Sequence, residues 1–380
     1  MKNKKKNASR RVQIKVIGVG GAGGNAVSRM VERNIRGVEF ISINTDAQDL
    51  DFSLARKKIY IGKNLTKGLG TGMNPELGRQ AAEENKQDIL DAVKGADLIF
   101  ITAGLGGGTG SGASPVVAEL AKETGALTIA VVTKPFTFEG AQRNKIAQDA
   151  FVKVKEKVDA TITIPNDRIF SVIQKDTPLI KAFGAIDDVL INAVQGITDI
   201  VSSPGLVNVD FADVKTIMQG TGTAIVGLGI SSGQDRAMKA ISQAAQSPLL
   251  ETSIDGARGI LLCLASNRDL KMAEVNDAAK VVAEAIDPSS KIIFGAYNDK
   301  RLKSGKLKIT LIATGFNGIS SNGSSTLFKF ASEPSYRLTD SFKNDETKEE
   351  LAGGSVKQAK EKQEKEEVWD IPTFLRKRKR

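Results

Sequence analysis

Five short apolar runs, each closed by a turn signal, recur at regular intervals over the first 175 residues. They are Val12–Gly18 (VQIKVIG), Val38–Asn44 (VEFISIN), Asp97–Ala103 (DLIFITA), Leu127–Thr133 (LTIAVVT) and Ala160–Pro165 (ATITIP). The stretches between them are helical in pattern. Strand alternating with helix predicts an α/β, Rossmann-like parallel sheet with helices on both faces. A long central helix is then expected, with Thr177 as N-cap, Pro178 at its first position and Pro204-Gly205 ending it near Ser202. Leu179, Phe183, Ile186 and Leu190 share its helical spacing and predict a buried face. Runs at 222–231, 259–266, 291–298 and 306–316, with helices near 235–246 and 272–286, predict a second, smaller α+β domain. The expected divisions are 1–11, a disordered basic arm; 12–176; the helix 177–203; 204–317; a charged flexible linker 334–367; and a terminal peptide 368–380 in a disordered C-terminal tail.

Two of the turns are almost bare backbone. Gly18-Val-Gly-Gly-Ala-Gly-Gly24 follows the first strand, and Gly106-Gly-Gly-Thr-Gly-Ser-Gly112 follows the run at 97–102, with a helix expected from Ser114 to Lys122. Strand, glycine turn, helix is an anion cradle: exposed N–H groups, a helix N-terminus and no Cβ to hold a phosphate away. The first turn alone satisfies G-x-G-x-x-G at Gly18, Gly20 and Gly23, and Asp46 stands where a ribose-binding acid is expected, so a nicotinamide-dependent oxidoreductase is a rival reading. Five glycines in seven residues in the second exceed what a turn needs. No GxxxxGK[ST] occurs, so the chain is not a P-loop protein.

Charge changes the picture once it is located. The net charge is +10, but residues 1–11 carry six Lys/Arg and no acid, and 368–380 carry five with Asp370. The body, 12–367, holds 43 basic and 43 acidic residues and is neutral. Nucleic acid is therefore not expected as a principal ligand, while an anionic membrane surface or acidic partner stays open for the tails. The absence of histidine removes the commonest general base, the commonest transition-metal ligand and any Ser-His triad. Cys263, alone, reads as a core residue and excludes a disulfide framework. No apolar stretch approaches a membrane span, so a cytoplasmic location is expected. Residues 343–367 hold six Lys and eight Asp/Glu, a tether before Trp369, Ile371, Phe374 and Leu375.

GGGTGSG at 106–112 resembles the signature of the tubulin/FtsZ superfamily of GTPases. GVGGAGGNAV (18–27), NTDAQDL (44–50), GLGTGMNPELG (68–78), PFTFEG (135–140), IPNDR (164–168), NVDFADV (208–214) and DIPTFLRKR (370–378) follow the pattern of its FtsZ branch in order. The resemblance implies a polymerising GTPase of the bacterial division ring, at midcell, whose head-to-tail filaments hydrolyse GTP at subunit interfaces. It implies docking of membrane-tethering and regulatory division proteins to the terminal peptide. A non-hydrolysing filament is the remaining alternative.

The same resemblance assigns site residues. Gly20, Gly21, Asn25, Gly106, Gly107, Gly108, Thr109 and Gly110 would hold the phosphates of GTP or GDP. Asp46, Gly70 and Gly72 would lie near the γ-phosphate and Mg2+; as a residue, Asp46 reads equally as a helix cap. No set of protein metal ligands is expected, because magnesium takes phosphate oxygens and water. Asn166, Phe183 and Asp187 would recognise guanine, with Phe183 otherwise an ordinary core residue. Pro135, Glu139 and Arg143 would contact the nucleotide, although Glu139 and Arg143 at i, i+4 also read as an ion pair. Asn208, Asp210 and Asp213 would enter a neighbouring subunit's pocket to orient the attacking water; by themselves they read as a capping cluster. Met73 and Ser266-Asn267 stand where the family carries glycine, and the 299–308 hairpin is lysine-rich where relatives are acidic.

Overall fold

A computed structural model describes residues 11–174, 176–202, 205–246, 254–287 and 289–316. The basic arm, the linker and the terminal peptide with Trp369, Ile371, Phe374 and Leu375 lie outside the described residues, save Arg11.

The strands are β1 (Ile14–Val19), β2 (Val38–Asn44), β3 (Lys57–Tyr60), β4 (Leu98–Gly104), β5 (Leu127–Lys134), β6 (Ala160–Pro165), β7 (Gly205–Val207), β8 (Gly222–Ser232), β9 (Gly259–Ser266), β10 (Lys291–Asn298) and β11 (Lys306–Thr314). They form one sheet, ordered β3-β2-β1-β4-β5-β6-β8-β11-β9-β10-β7. The first six run parallel, as the alternating pattern requires. The sheet continues across β6 to β8, pairing Ala160 with Gly222 and Ile162 with Ala224. β11 then pairs antiparallel with both β8 and β9. β3 and β7, four and three residues long, carry too little periodicity for a sequence pattern to register.

The helices are α1 (Gly20–Glu32), α2 (Ala47–Phe52), α3 (Lys63–Thr66), α4 (Pro75–Glu84), α5 (Lys86–Val93), α6 (Gly108–Glu123), α7 (Ala141–Lys157), α8 (Leu179–Ser202), α9 (Phe211–Met218), α10 (Arg236–Ala245) and α11 (Met272–Ala285). Strands buried on both faces are apolar throughout, and alternate residues serve opposite cores. Val16, Leu98 and Phe100 face a core shared with α1 and α8; Ile17, Ile99 and Ile101 face one built with α4 to α7. Cys263 is buried in the first of these cores, and burial pushes its thiol up to about 12. Ile260, Leu262 and Leu264 face a third, under α10 and α11. The first core spans both halves of the chain, with α8 between them.

Two expectations about α8 need correction. Ile186 and Leu190 are buried, but Leu179 is 66% exposed and Phe183 40%. The apolar stripe therefore reaches the core only from its second turn onward. Thr177 does not cap the helix: its hydroxyl accepts from Gln174 N at 3.0 Å, while Pro178 O accepts the first helical N–H groups.

Candidate functional site

The strand order reverses direction at β1, between β2 and β4. Ligand crevices in open α/β sheets form at such a switch point, beyond the carboxyl ends of the strands. Both glycine segments emerge there. Neither is a loop in full: α1 begins at Gly20 and α6 at Gly108, six residues before the helix expected at Ser114. Neither helix has a side-chain cap hydrogen bond, because Val19 and Gly107 occupy the N-cap positions, and neither has an acid in its first turn. Two helix N-termini with uncompensated N–H groups thus meet at one place.

The glycines there differ in purpose. Gly20 has φ +71°, and a Cβ on it would stand 2.8 Å from Gly110 N, so the two first turns abut backbone to backbone. A Cβ on Gly108 would meet Thr71 Oγ1 at 2.1 Å. Close packing therefore requires most of this segment's bare backbone, which composition alone had attributed to phosphate. Gly107 is the exception. Its φ and ψ, −88° and 175°, suit any residue, and a Cβ would meet nothing within 4 Å. It opens onto empty space.

That space is a cleft of about 510 Å³. Gly20, Gly21, Gly107, Gly108, Thr109, Gly110, Pro135, Glu139, Arg143, Asn166 and Phe183 line it. Phe138 and Phe183, 68% and 40% exposed, are also at its wall. Phe136 supports them, stacked on Phe138 at 4.8 Å between centroids and edge-on to Phe183 at 5.7 Å. Aromatic faces held open by a buried ring suit a planar ligand. Asn166 Oδ1 is buried with no hydrogen-bond partner. Such an orphaned acceptor fits a donor on a ligand base. Arg143 is paired with Glu139, whose other oxygen accepts from Phe136 N at 2.9 Å.

The remaining expected residues do not line the cleft. Asn25 is exposed on α1. Gly106 gives its N–H to Ser111 Oγ at 2.9 Å. Asp46 caps α2, accepting from Asp49 N at 3.1 Å. Gly70 and Gly72 belong to a segment in which Lys67, Gly68, Gly70, Gly72 and Met73 all have positive φ; Met73, at 66°, holds a glycine conformation with a side chain. Asp187 is ion-paired with Arg29, and burial raises its pKa above the usual carboxylate range against the pull of that guanidinium. Burial and the neighbouring Asp46 raise Asp49, whose Oδ2 accepts from Asn44 Nδ2 at 2.6 Å.

Asn208, Asp210 and Asp213 lie elsewhere, at the β7–α9 junction. Asn208 Oδ1 accepts from Gly205 N at 2.6 Å, and Asp213 Oδ2 accepts from Asp210 N at 3.1 Å. The capping role is thus realised, with Asn208 and Asp210 exposed. Sequence reasoning missed Phe138 and Thr133 in the lining, and reached Thr71 only as part of the stretch from Gly70 to Gly72. Phe138, a large apolar side chain between Thr137 and Glu139 in a polar turn, was the available signal. Thr133 gave none, since nothing local distinguishes a lining hydroxyl from a core one.

Residues 13–174 match the GTPase domain of the tubulin/FtsZ family, and residues 222–317 match the FtsZ family C-terminal domain. Among solved structures, an empty FtsZ dimer from M. jannaschii is 44% identical, covering 81% of this chain and 89% of that one, with a TM-score of 0.76. The GDP-bound monomer of CetZ1 from Haloferax volcanii is 25% identical over 80% of this chain and 94% of its own, TM-score 0.70. A GTPγS-bound protofilament of CetZ2 from the same source shares the fold at 24% identity, covering 80% of this chain and 92% of that one, with a TM-score of 0.69.

Proposed function

The chain belongs to the tubulin/FtsZ family of GTPases, and from that premise we propose that it assembles head to tail into filaments of the bacterial division ring and hydrolyses GTP where subunits meet. The observation that carries this reading is the pairing of a complete phosphate cradle with acids that lie outside it. Two uncapped helix N-termini face one cleft, whereas Asp210 and Asp213 are at the β7–α9 junction. A neighbouring copy would supply them.

Each part of the cleft has a task in this reading. Backbone N–H groups at Gly20, Gly21, Gly107, Gly108 and Gly110 take the phosphates, with Gly106 shaping the turn before α6 and Gly70 and Gly72 the segment that carries Thr71. Phe183 and Phe138 stack on the base. The unpartnered Asn166 Oδ1 accepts from guanine N1–H or its amino group, which adenine N1 cannot satisfy. Asp187 adds a second acceptor once released from Arg29. Pro135 and the Glu139–Arg143 pair border the ribose. A triphosphate carries more negative charge than this lining answers, since its single guanidinium is already paired. The hydroxyls of Thr71 and Thr109 offer hard oxygens in this lining, and a magnesium ion, which takes mainly phosphate oxygens and water, would supply the missing positive charge when bound. Asp210 and Asp213 orient and polarise the attacking water, with Asn208 holding their segment.

The described residues contain no helix long and apolar enough to cross a membrane. A cytoplasmic site of action, and docking of division proteins or an anionic surface to the peptide 368–380, complete the proposal.

Sedimentation with GTP, GDP or NAD, with released phosphate measured in parallel, tests it. GTP alone should drive assembly and turnover. Asp213→Ala should bind GTP normally yet turn over at least about a hundredfold more slowly. Constant specific activity down to dilutions where no filament forms would refute the shared site, and NAD-driven behaviour would refute the nucleotide assignment.

A further inference from the structure

Resting on the reading of the cleft as a GTP site, one buried group outside the lining takes on a task. Thr45, on the turn between β2 and α2, is fully buried, and its Oγ1 lies 2.6 Å from Thr109 Oγ1. Thr109, in the first turn of α6, lines the cleft; Thr71 Oγ1 lies 3.3 Å from it on the other side. Among the described residues Thr45 Oγ1 has that single partner.

The direction of this chain of hydroxyls follows from counting protons. Each hydroxyl has one proton and two lone pairs. If Thr109 donated to Thr45, the Thr45 proton would be buried with no acceptor, a state protein interiors avoid. Thr45 therefore donates and Thr109 accepts. The Thr109 proton is left for Thr71, at a distance long for O–H···O, or for an acceptor in the cleft. An ionised phosphate oxygen wins that competition, because a charge-assisted bond is the stronger one.

Topology says which phosphate. Asn166 and Phe183, the base-recognising residues, belong to the segment after β6 and to α8, while Thr109 and Thr71 meet at the N-terminus of α6, after β4, two strands away from β6. A nucleotide lying across the cleft with its base at the β6 end brings its last phosphate to Thr109. We propose that the Thr45 hydroxyl is a positioning group that aims the Thr109 proton at the terminal phosphate of a nucleoside triphosphate, and so sets the preference for GTP over GDP.

The test is calorimetric titration of the purified full chain, below its assembly concentration, with GTPγS and with GDP. Thr45→Val keeps the shape and removes the donor. It should weaken GTPγS about tenfold while GDP changes less than about twofold. Thr45→Ser should restore GTPγS binding. In a Thr109→Val background, Thr45→Val should have no further effect, because the proton it directs is gone. Thr45→Ala loses the same hydroxyl and serves if Thr45→Val does not fold. Unchanged GTPγS affinity in the folded variant overturns the proposal, as does an equal loss for both nucleotides, which marks a packing role. An unaltered protein that binds GTPγS no better than ATPγS overturns instead the reading of the cleft, and the proposal with it.

Discussion

Gly107 separates a ligand's demand from the fold's. The substitution Gly107→Ala places a methyl group where nothing lies within 4 Å, at a backbone conformation open to alanine. Two small terms act on stability. Alanine is a poorer N-cap than glycine, while the unfolded chain loses freedom worth about 0.4–1 kcal/mol, so the net change should be within about 1 kcal/mol, or roughly 2–4 °C in a domain of this size. Binding is affected differently. A methyl in the cradle keeps a phosphate from one or two backbone N–H groups, at about 1.5–3 kcal/mol each for charged acceptors. Loss of a single such bond corresponds to about 10- to 150-fold in GDP affinity, and loss of two to more. Gly108→Ala is the contrast: its Cβ would meet Thr71 Oγ1 at 2.1 Å and Asn74 N at 2.8 Å, so the ligand-free protein should lose about 1–3 kcal/mol or more. Thermal unfolding without ligand, beside titration with GDP, reads both quantities. Gly107→Ala binding GDP as tightly as the unaltered protein would refute the cradle. Destabilisation equal to that of Gly108→Ala would refute the claim that the fold leaves Gly107 free.

Three further outcomes are expected. Met73→Gly relieves a left-handed side-chain conformation worth about 1–2 kcal/mol and adds about 0.5–1 kcal/mol of chain entropy, so the protein should melt slightly higher; a lower melting temperature would show that the side chain's packing outweighs its strain. Arg236 is 5% exposed and holds both Asp269 and Glu274, so Arg236→Ala leaves two carboxylates without their cation and should cost about 3–5 kcal/mol by denaturant titration; a loss below about 1 kcal/mol would refute this. Because the folded state raises the pKa of Asp187, it binds that proton more tightly than the unfolded chain does; the stabilisation is present at low pH and fades as pH rises from 3.8 through the folded value. The stability of the unaltered protein relative to Asp187→Asn should therefore fall with pH over that window in denaturant titrations, and a rise would contradict the burial argument.

Legibility in the sequence followed the range of the physics involved. Strands buried on both faces and flanked by helices declare themselves by continuous apolar runs, and β1, β2, β4, β5 and β6 fall within a few residues of their expected places. The pair of glycine-led helix starts was equally local, since strand, bare turn and helix lie within one stretch of chain. The purpose of each glycine was not local. Gly20 is forced by Gly110, and Gly108 by Thr71, across separate segments. Likewise Leu179 and Phe183 fit the apolar period of α8, but what covers the end of a helix is decided by its neighbours.

The sequence by itself determined the α/β alternation, the two glycine-rich strand-to-helix turns and the family, because each is written in adjacent residues. Only the tertiary structure decided that the sheet runs on from β6 to β8, that Phe136 props open an aromatic wall, and that Asn166 is left with an unanswered acceptor. It alone set Thr45 against Thr109, 64 positions apart, at hydrogen-bond distance. It also left Asp210 and Asp213 capping α9 and outside the cleft lining. Spacing along a chain fixes which face a side chain presents; which groups meet across the fold depends on packing among distant segments, and that information is spread over the whole sequence rather than held in any motif.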